Sequence, residues 1–277
     1  VYLIYKDLQK EDFNRSWTGT TYGSGYEGQG CVNDEMTNYY VEFMKKQIFA
    51  YLNPPITSKV LPMYWYLGYN VHSKSVLEIG GVILASWIVP IHENRDGLDY
   101  WCTCMFGEDN PGDPYLIPTD RAVLDRRRKM ILGPILEKAV KAGNIVIPEE
   151  FEAGFDHVTN LVRGLGMEDD PNYYLTRGYP GSVNTYVFNS ISTPDNNSYP
   201  PTNEETFIGY MHLSMFYNQA QLAEEYPADK YPFLAEKFAF VQKYLKDKYQ
   251  IDLEAIANGP ENWDLPLPPI PETPDEE

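Results

Sequence analysis

Four histidines, His72, His92, His157 and His212, are the side chains in this sequence best suited to hold a metal or move a proton near neutral pH. A helical zinc site of the HExxH kind needs two imidazoles four residues apart, so that both face the ion from successive turns. No two of these histidines have that spacing. His92 and Glu93 open a His-Glu-x-x-Asp run, but Pro90 before it and Gly97 after it point to a loop. His157 and His212 fall inside expected helices and read as packing residues. These patterns identify no catalytic residue, metal ligand or cofactor.

Carboxylates cluster at Glu108-Asp109-Asn110, Glu168-Asp169-Asp170 and Glu204-Glu205. Paired acids can hydrolyse glycosides when they face each other across a cleft, a distance that spacing along the chain does not define. The first two clusters lack the EF-hand pattern for calcium. The glycine-rich stretch "YGSGYEGQG" has no lysine where a phosphate loop needs one, and there is no GxSxG elbow. Cys31, Cys102 and Cys104 are odd in number and form no CxxC pair, so free thiols are expected.

Aromatic residues offer a different chemistry. Trp17, Tyr22 and Tyr26 lie in a Gly/Ser/Thr-rich stretch, and Tyr100 and Trp101 lie in a turn-rich one. Exposed rings beside polar loops can stack on sugar faces or peptide side chains. These five are the candidate ligand-binding residues. The competing expectation is that Trp17 and Trp101 seal the edge of a core.

The elements that must position these groups follow from the pattern of the chain. It has 277 residues, 43% of them hydrophobic, enough for a sizeable core. Its net charge of −18 argues against nucleic acid and anionic lipid as partners. Strands are expected at 1–5 and 60–69, and "VLEIGGVILASWIVPI" (76–91) reads as two buried strands. A loop is expected over 14–31 and a turn-rich region over 92–118. Helices are expected from Asn33 to about 52, from Thr119-Asp120 to about 142, and from Pro148 to near 164. Two more are expected from the Thr202–Glu205 capping box to about 225 and over 231–249. Strands first and long helices last imply an α+β fold. One domain over 1–260, with a subdivision near 118, would precede an acidic proline-rich tail at 261–277. With no signal peptide and a start inside the strand-like "VYLIY", a trimmed mature form is expected.

The order of features resembles the substrate import-associated zinc metallohydrolase lipoproteins of Bacteroidetes, zincin-like peptidases encoded beside SusC/SusD-type importers. "ILEKAVKAGNIVIPEEF" is similar to that family's zinc helix, link and following Pro-x-Glu-Phe. "PTNEETFIGYMHLSMF" (201–216) looks like its second ligand-bearing helix, with Glu204 and Glu205 as the remnant of the family site. "VYLIYKDLQKEDFNR" and "FLAEKFAFVQKYLKDKYQIDLEAI" are similar to its opening and closing segments. Ile135, Leu136 and Ala139 stand where the family has His, Glu and His, and Gly209 where it has a later Glu.

The resemblance implies a degenerate zincin-like fold, with a small twisted sheet in the N-terminal half and long helices in the C-terminal half. It implies that helices 120–142 and 203–225 lie side by side, burying Ile131, Ile135, Leu136 and Ala139 against Phe207, Tyr210 and Met211. The expected protein is a non-catalytic pseudoenzyme of polysaccharide utilisation without metal or cofactor. It would be lipid-anchored at the outer membrane surface or in the periplasm by an anchor outside this chain. Its partners would be a SusC/SusD-type complex and a glycan or peptide. The alternatives are an active hydrolase, either a paired-carboxylate glycosidase or a zinc enzyme with a non-standard site, and a structural accessory subunit.

Overall fold

The computed structural model describes residues 1–14, 25–31, 33–91, 93–94, 99–106, 121–163, 166–180 and 199–259. The fold is α+β, with strands in the first 106 residues and long helices in the second half. Two compact units form, one from Val1–Gln47 and Leu61–Arg127, the other from Ile48–Val60 and Arg128–Trp263. The tail 261–277 lies outside the described residues.

The first unit is built on a mixed six-stranded sheet. Its strands are β1 (Tyr2–Ile4), β2 (Tyr26–Gln29), β3 (Tyr64–Ile79), β4 (Val82–Pro90), β5 (Glu93–Asn94) and β6 (Tyr100–Phe106). The first part of β3 runs parallel to β1 on one side and β6 on the other. Its second part pairs antiparallel with β2 and β4. Gly68 on β3 lies where the sheet has no room for a side chain. A Cβ there would come within 2.6 Å of the Val71 side chain and 3.0 Å of the Cys102 sulfur.

Helix α1 (Asp34–Phe43) starts where expected. The Asn33 side chain accepts from the Met36 amide at 2.8 Å, and Asp34 and Glu35 face the helix dipole. Tyr39, Tyr40 and Phe43 are buried, and the Tyr40 hydroxyl donates to the Thr103 carbonyl. This bond ties α1 to β6.

Three expectations for this unit need correction. The turn-rich segment 92–118 contains β6, because the aromatic and β-branched run from Tyr100 to Phe106 outweighs the Gly, Asp and Pro around it. The loop 14–31 contains β2, held by Asn14. That side chain accepts from the Tyr26 amide and donates to the Tyr26 carbonyl, both at 2.7 Å. The two strands at 76–91 do form, but as an exposed ribbon rather than buried strands. Ile79 is 63% exposed and Ile83 62%.

The second unit is helical. It takes the Arg128–Lys141 part of α3 (Arg121–Lys141) with α4 (Glu149–Glu152), α5 (Asn203–Phe216), α6 (Gln219–Glu225), α7 (Pro232–Tyr249) and α8 (Leu253–Asn258). Every residue of α5 from Thr206 to Met215 is buried, so this helix is the axis of the unit. It packs against α7 and α8. Helix α3 closes as expected, with Gly143 at φ +76° and the Asn144 amide donating to the Ala139 carbonyl.

Arg128 is fully buried. It donates to the Ile256 carbonyl at the end of α8 and lies 5.0 Å from the Tyr51 ring centre. Lys129 donates to the neighbouring Ala257 carbonyl at 3.2 Å. Two cations therefore meet the carbonyl end of one short helix.

The helix expected from Pro148 to near 164 stops at Glu152. Gly154 takes φ +92°, and the Asp156 carboxylate accepts from the amides of Val158 and Thr159, which favours a turn. His157 therefore lies in a loop. The helix expected over 203–225 divides at Tyr217 into α5 and α6, because Asn218 and Gln221 form a second capping box.

Candidate functional site

The side chains that the family resemblance would place around a zinc ion lie on α3 and α5. Ile135, Leu136 and Ala139 on α3, and Phe207, Tyr210 and Met211 on α5, are all 0% exposed, and Ile131 is 4% exposed. The helices touch along Gly133 and His212. A Cβ at position 133 would lie 3.3 Å from the imidazole Cε1, so the glycine admits the ring. One turn on, His212 Nε2 lies 3.8 Å from Glu137 Oε2. The same carboxylate is bonded by Lys141 Nζ at 2.6 Å. These contacts bring α3 and α5 together at His212.

Phe151 explains the Pro-Glu-Glu-Phe segment after α3. Its fully buried ring sits edge-on to Phe207 at 5.0 Å and to Tyr210 at 5.8 Å, and so seats α4 on α5.

The chemistry open to this helix pair is narrow. A zinc site takes three or four nitrogen, sulfur or carboxylate donors at about 2.0–2.3 Å. Ile135, Leu136, Ala139 and Gly209 offer no donor side chain. Among the described residues, no three His, Cys, Asp or Glu side chains gather to hold an ion. His212 and Glu137 are two such groups, farther apart than a hydrogen bond. A histidine acts as a base only toward a substrate that reaches its ring, and His212 is 1% exposed.

Glu204 and Glu205 are exposed at the start of α5. The Glu205 carboxylate accepts from the Thr202 amide at 2.7 Å and hydroxyl at 2.9 Å, which makes it half of the capping box.

Among the described residues, Tyr26, Tyr100 and Trp101 do not form a binding surface. Trp17 and Tyr22 lie outside the described residues. Tyr26 is half-buried and packs on the cluster of Leu8, Phe13, Tyr66, Val71, Tyr100, Cys102 and Cys104. Tyr100 is 1% exposed and stacks on Tyr66, with ring centres 4.4 Å apart. Trp101 is 5% exposed and meets Trp65 edge-on at 5.3 Å, while Trp65 Nε1 donates to Thr103 at 2.7 Å. Strand alternation puts Tyr100 and Trp101 on opposite faces of β6, and both faces are covered. Tyr100 and Trp101 are core residues, and neither presents a ring plane to a ligand.

The cysteines also lack the setting of a nucleophile. Burial raises the Cys102 thiol well above its ordinary pKa and Cys31 to about 11. The second acid cluster serves its own loop. Glu168 accepts from the Gly166 amide at 3.2 Å, and Asp170 from the Asn172 amide at 2.8 Å. The first cluster, Glu108 to Asn110, lies outside the described residues, as does His92.

One unusual side chain escaped the sequence analysis. Lys237 on α7 is buried, with its ammonium 5.1 to 5.9 Å from the ring centres of Phe151, Phe155, Phe233 and Phe240. Desolvation lowers its pKa, and its one carbonyl contact, to Glu150, is 3.4 Å long. The signal was the aromatic run around Lys237: Phe233, Phe238 and Phe240 lie four, one and three residues away. The cation holds four rings together and is 3% exposed.

No family model matches the chain, and no curated protein matches it. Among solved structures, it is similar to a candidate zinc-binding metallo-peptidase from Bacteroides caccae. Identity is 14% and the TM-score 0.39, over 81% of this chain and 73% of the other.

Proposed function

We propose that this chain is a non-catalytic relative of zincin peptidases that works by binding. In this reading it is lipid-anchored at the outer membrane surface or in the periplasm. It holds a peptide or glycan for a SusC/SusD-type importer. One observation carries the loss of catalysis: Ile135, Leu136 and Ala139 are fully buried aliphatic residues at the positions of the family's zinc helix. Replacing imidazoles there with aliphatic groups removes the need for buried polar partners and turns a cleft floor into core. Burial of Tyr100 and Trp101 weakens the case for sugar stacking at those residues, so a peptide is the favoured ligand class.

The test uses the purified full chain. It is incubated with equimolar zinc and a quenched fluorogenic peptide library, and calorimetry is run with unstructured peptides and oligosaccharides. The expected result is no turnover with and without zinc, and binding to one ligand class at about 1–100 μM. Zinc-dependent peptide cleavage, abolished by a chelator, would falsify the reading. Failure to bind any peptide or glycan would replace it with a purely structural subunit.

A further inference from the structure

The hairpin formed by β3 and β4 is the most apolar exposed surface among the described residues. Partners β1, β6 and β2 reach β3 only as far as Ser73. Beyond that point its one described partner is β4, and β4 pairs with β3 alone. The turn is Gly80-Gly81, with φ of +62° and +82°, a backbone that glycine adopts without strain and that suits a two-residue hairpin. Past Ser73 the chain is therefore a two-stranded ribbon with both backbone edges open among the described residues. Such a ribbon is marginal in water by itself.

Its side chains add to this. Register places Leu77, Ile79, Val82, Ala85, Trp87 and Val89 on one face. Val76, Glu78, Ile83, Ser86 and Ile88 share the other, and a bulge leaves Leu84 unpaired. Val82, Ile83 and Leu84 are 57 to 62% exposed and Trp87 is 48% exposed. The large apolar residues from 76 to 89, 37 to 63% exposed, divide between the two faces, so the ribbon is apolar on both. Strand β4 carries no charge, and Glu78 is the only charged residue from 75 to 91 of a chain with net charge −18. Natural edge strands are protected by lysine, by proline within the strand, by a bulge or by a covering element. Between Val82 and Val89 this edge has no lysine or proline, and its one bulge is at Leu84.

We propose that this hairpin is the surface by which two copies of the chain associate, with the β4 edges pairing antiparallel about a two-fold axis. The edge is complementary to itself, because a two-fold axis brings the same strand to it in the opposite direction. Pairing fills the open N–H and C=O groups of both copies. The contact is neutral, so the charge of −18 on each copy lies elsewhere. A lipid bilayer is the poorer occupant. It would take open backbone edges into hydrocarbon, where nothing satisfies them. The inference is independent of any ligand or importer.

Sedimentation equilibrium of the full chain tests it, at about 1 to 100 μM. The expected result is a dimer that weakens at least tenfold in the Ile83→Glu/Trp87→Glu variant, with circular dichroism unchanged. The milder Ile83→Ser/Trp87→Ser variant should weaken it to a smaller degree. A parent that stays monomeric across the range overturns the proposal. So does a dimer that survives both variants. A monomeric parent that co-floats with neutral phosphatidylcholine vesicles overturns it in favour of lipid.

Discussion

The α3–α5 helix pair carries many charged side chains and the β3–β4 hairpin from 75 to 91 only Glu78, yet it is the hairpin whose apolar residues stay exposed. Leu132, Ile135, Leu136 and Ala139 are completely buried, while the large apolar side chains between Val76 and Val89 are 37 to 63% exposed. Composition alone points the other way; the number of neighbours each element can have decides. A helix such as α5 offers its whole circumference, and every residue from Thr206 to Met215 is covered. A two-stranded ribbon has two faces and two edges, and its own pairing covers only the inner edges. The contrast assigns the first region to stability and the second to association.

The largest expected effect breaks the buried side of this comparison. Leu136→Ala should cost about 3–5 kcal/mol, because a fully buried leucine leaves a cavity the helix pair fills only in part. Urea unfolding followed by circular dichroism reads it. A loss below about 1 kcal/mol would mean that the helices are not packed as a core.

An intermediate effect comes from pH. Burial raises the Tyr39 phenol to about 12 in the first unit and the Tyr179 phenol to about 12 in the second. Their folded pKa values lie above the unfolded value of 10.0, so the unfolded chain releases these protons first. The stability they confer is complete below pH 10 and is lost as pH rises from 10 toward 12. Thermal melting at pH 11 should therefore fall roughly 5 °C or more below that at pH 8. The hairpin has no tyrosine between residues 70 and 91, so its self-association should be insensitive to this change at temperatures where the fold persists.

The smallest effect sharpens the exposed side. Ile83→Ala should change the stability of the monomer by less than about 0.5 kcal/mol, since the side chain is 62% exposed. Measured below the association range, a loss as large as that of Leu136→Ala would place the hairpin in a core after all.

Local signals were sufficient wherever one segment decides its own structure. The Asn33 cap, the Thr202–Glu205 capping box, the Gly143 helix end and the positive-φ Gly80-Gly81 turn each act within a few residues, so the elements they bound were legible. The aliphatic identity of Ile135, Leu136 and Ala139 was also plain in the chain, and with it the absence of ligands at those positions.

Burial was not legible, because it depends on which distant element arrives. Tyr100 and Trp101 looked like loop aromatics until β3 on one side and α1 on the other covered β6. The run from Val76 to Val89 looked like buried strand until β2 and β6 ended short of it. His212, facing Gly133 and Glu137, and Lys237, among four phenylalanine rings, are products of the same kind. Propensities and caps are properties of a few neighbouring residues, and the sequence by itself determined those. Exposure is a property of pairs far apart in the chain, and only the tertiary structure decided it.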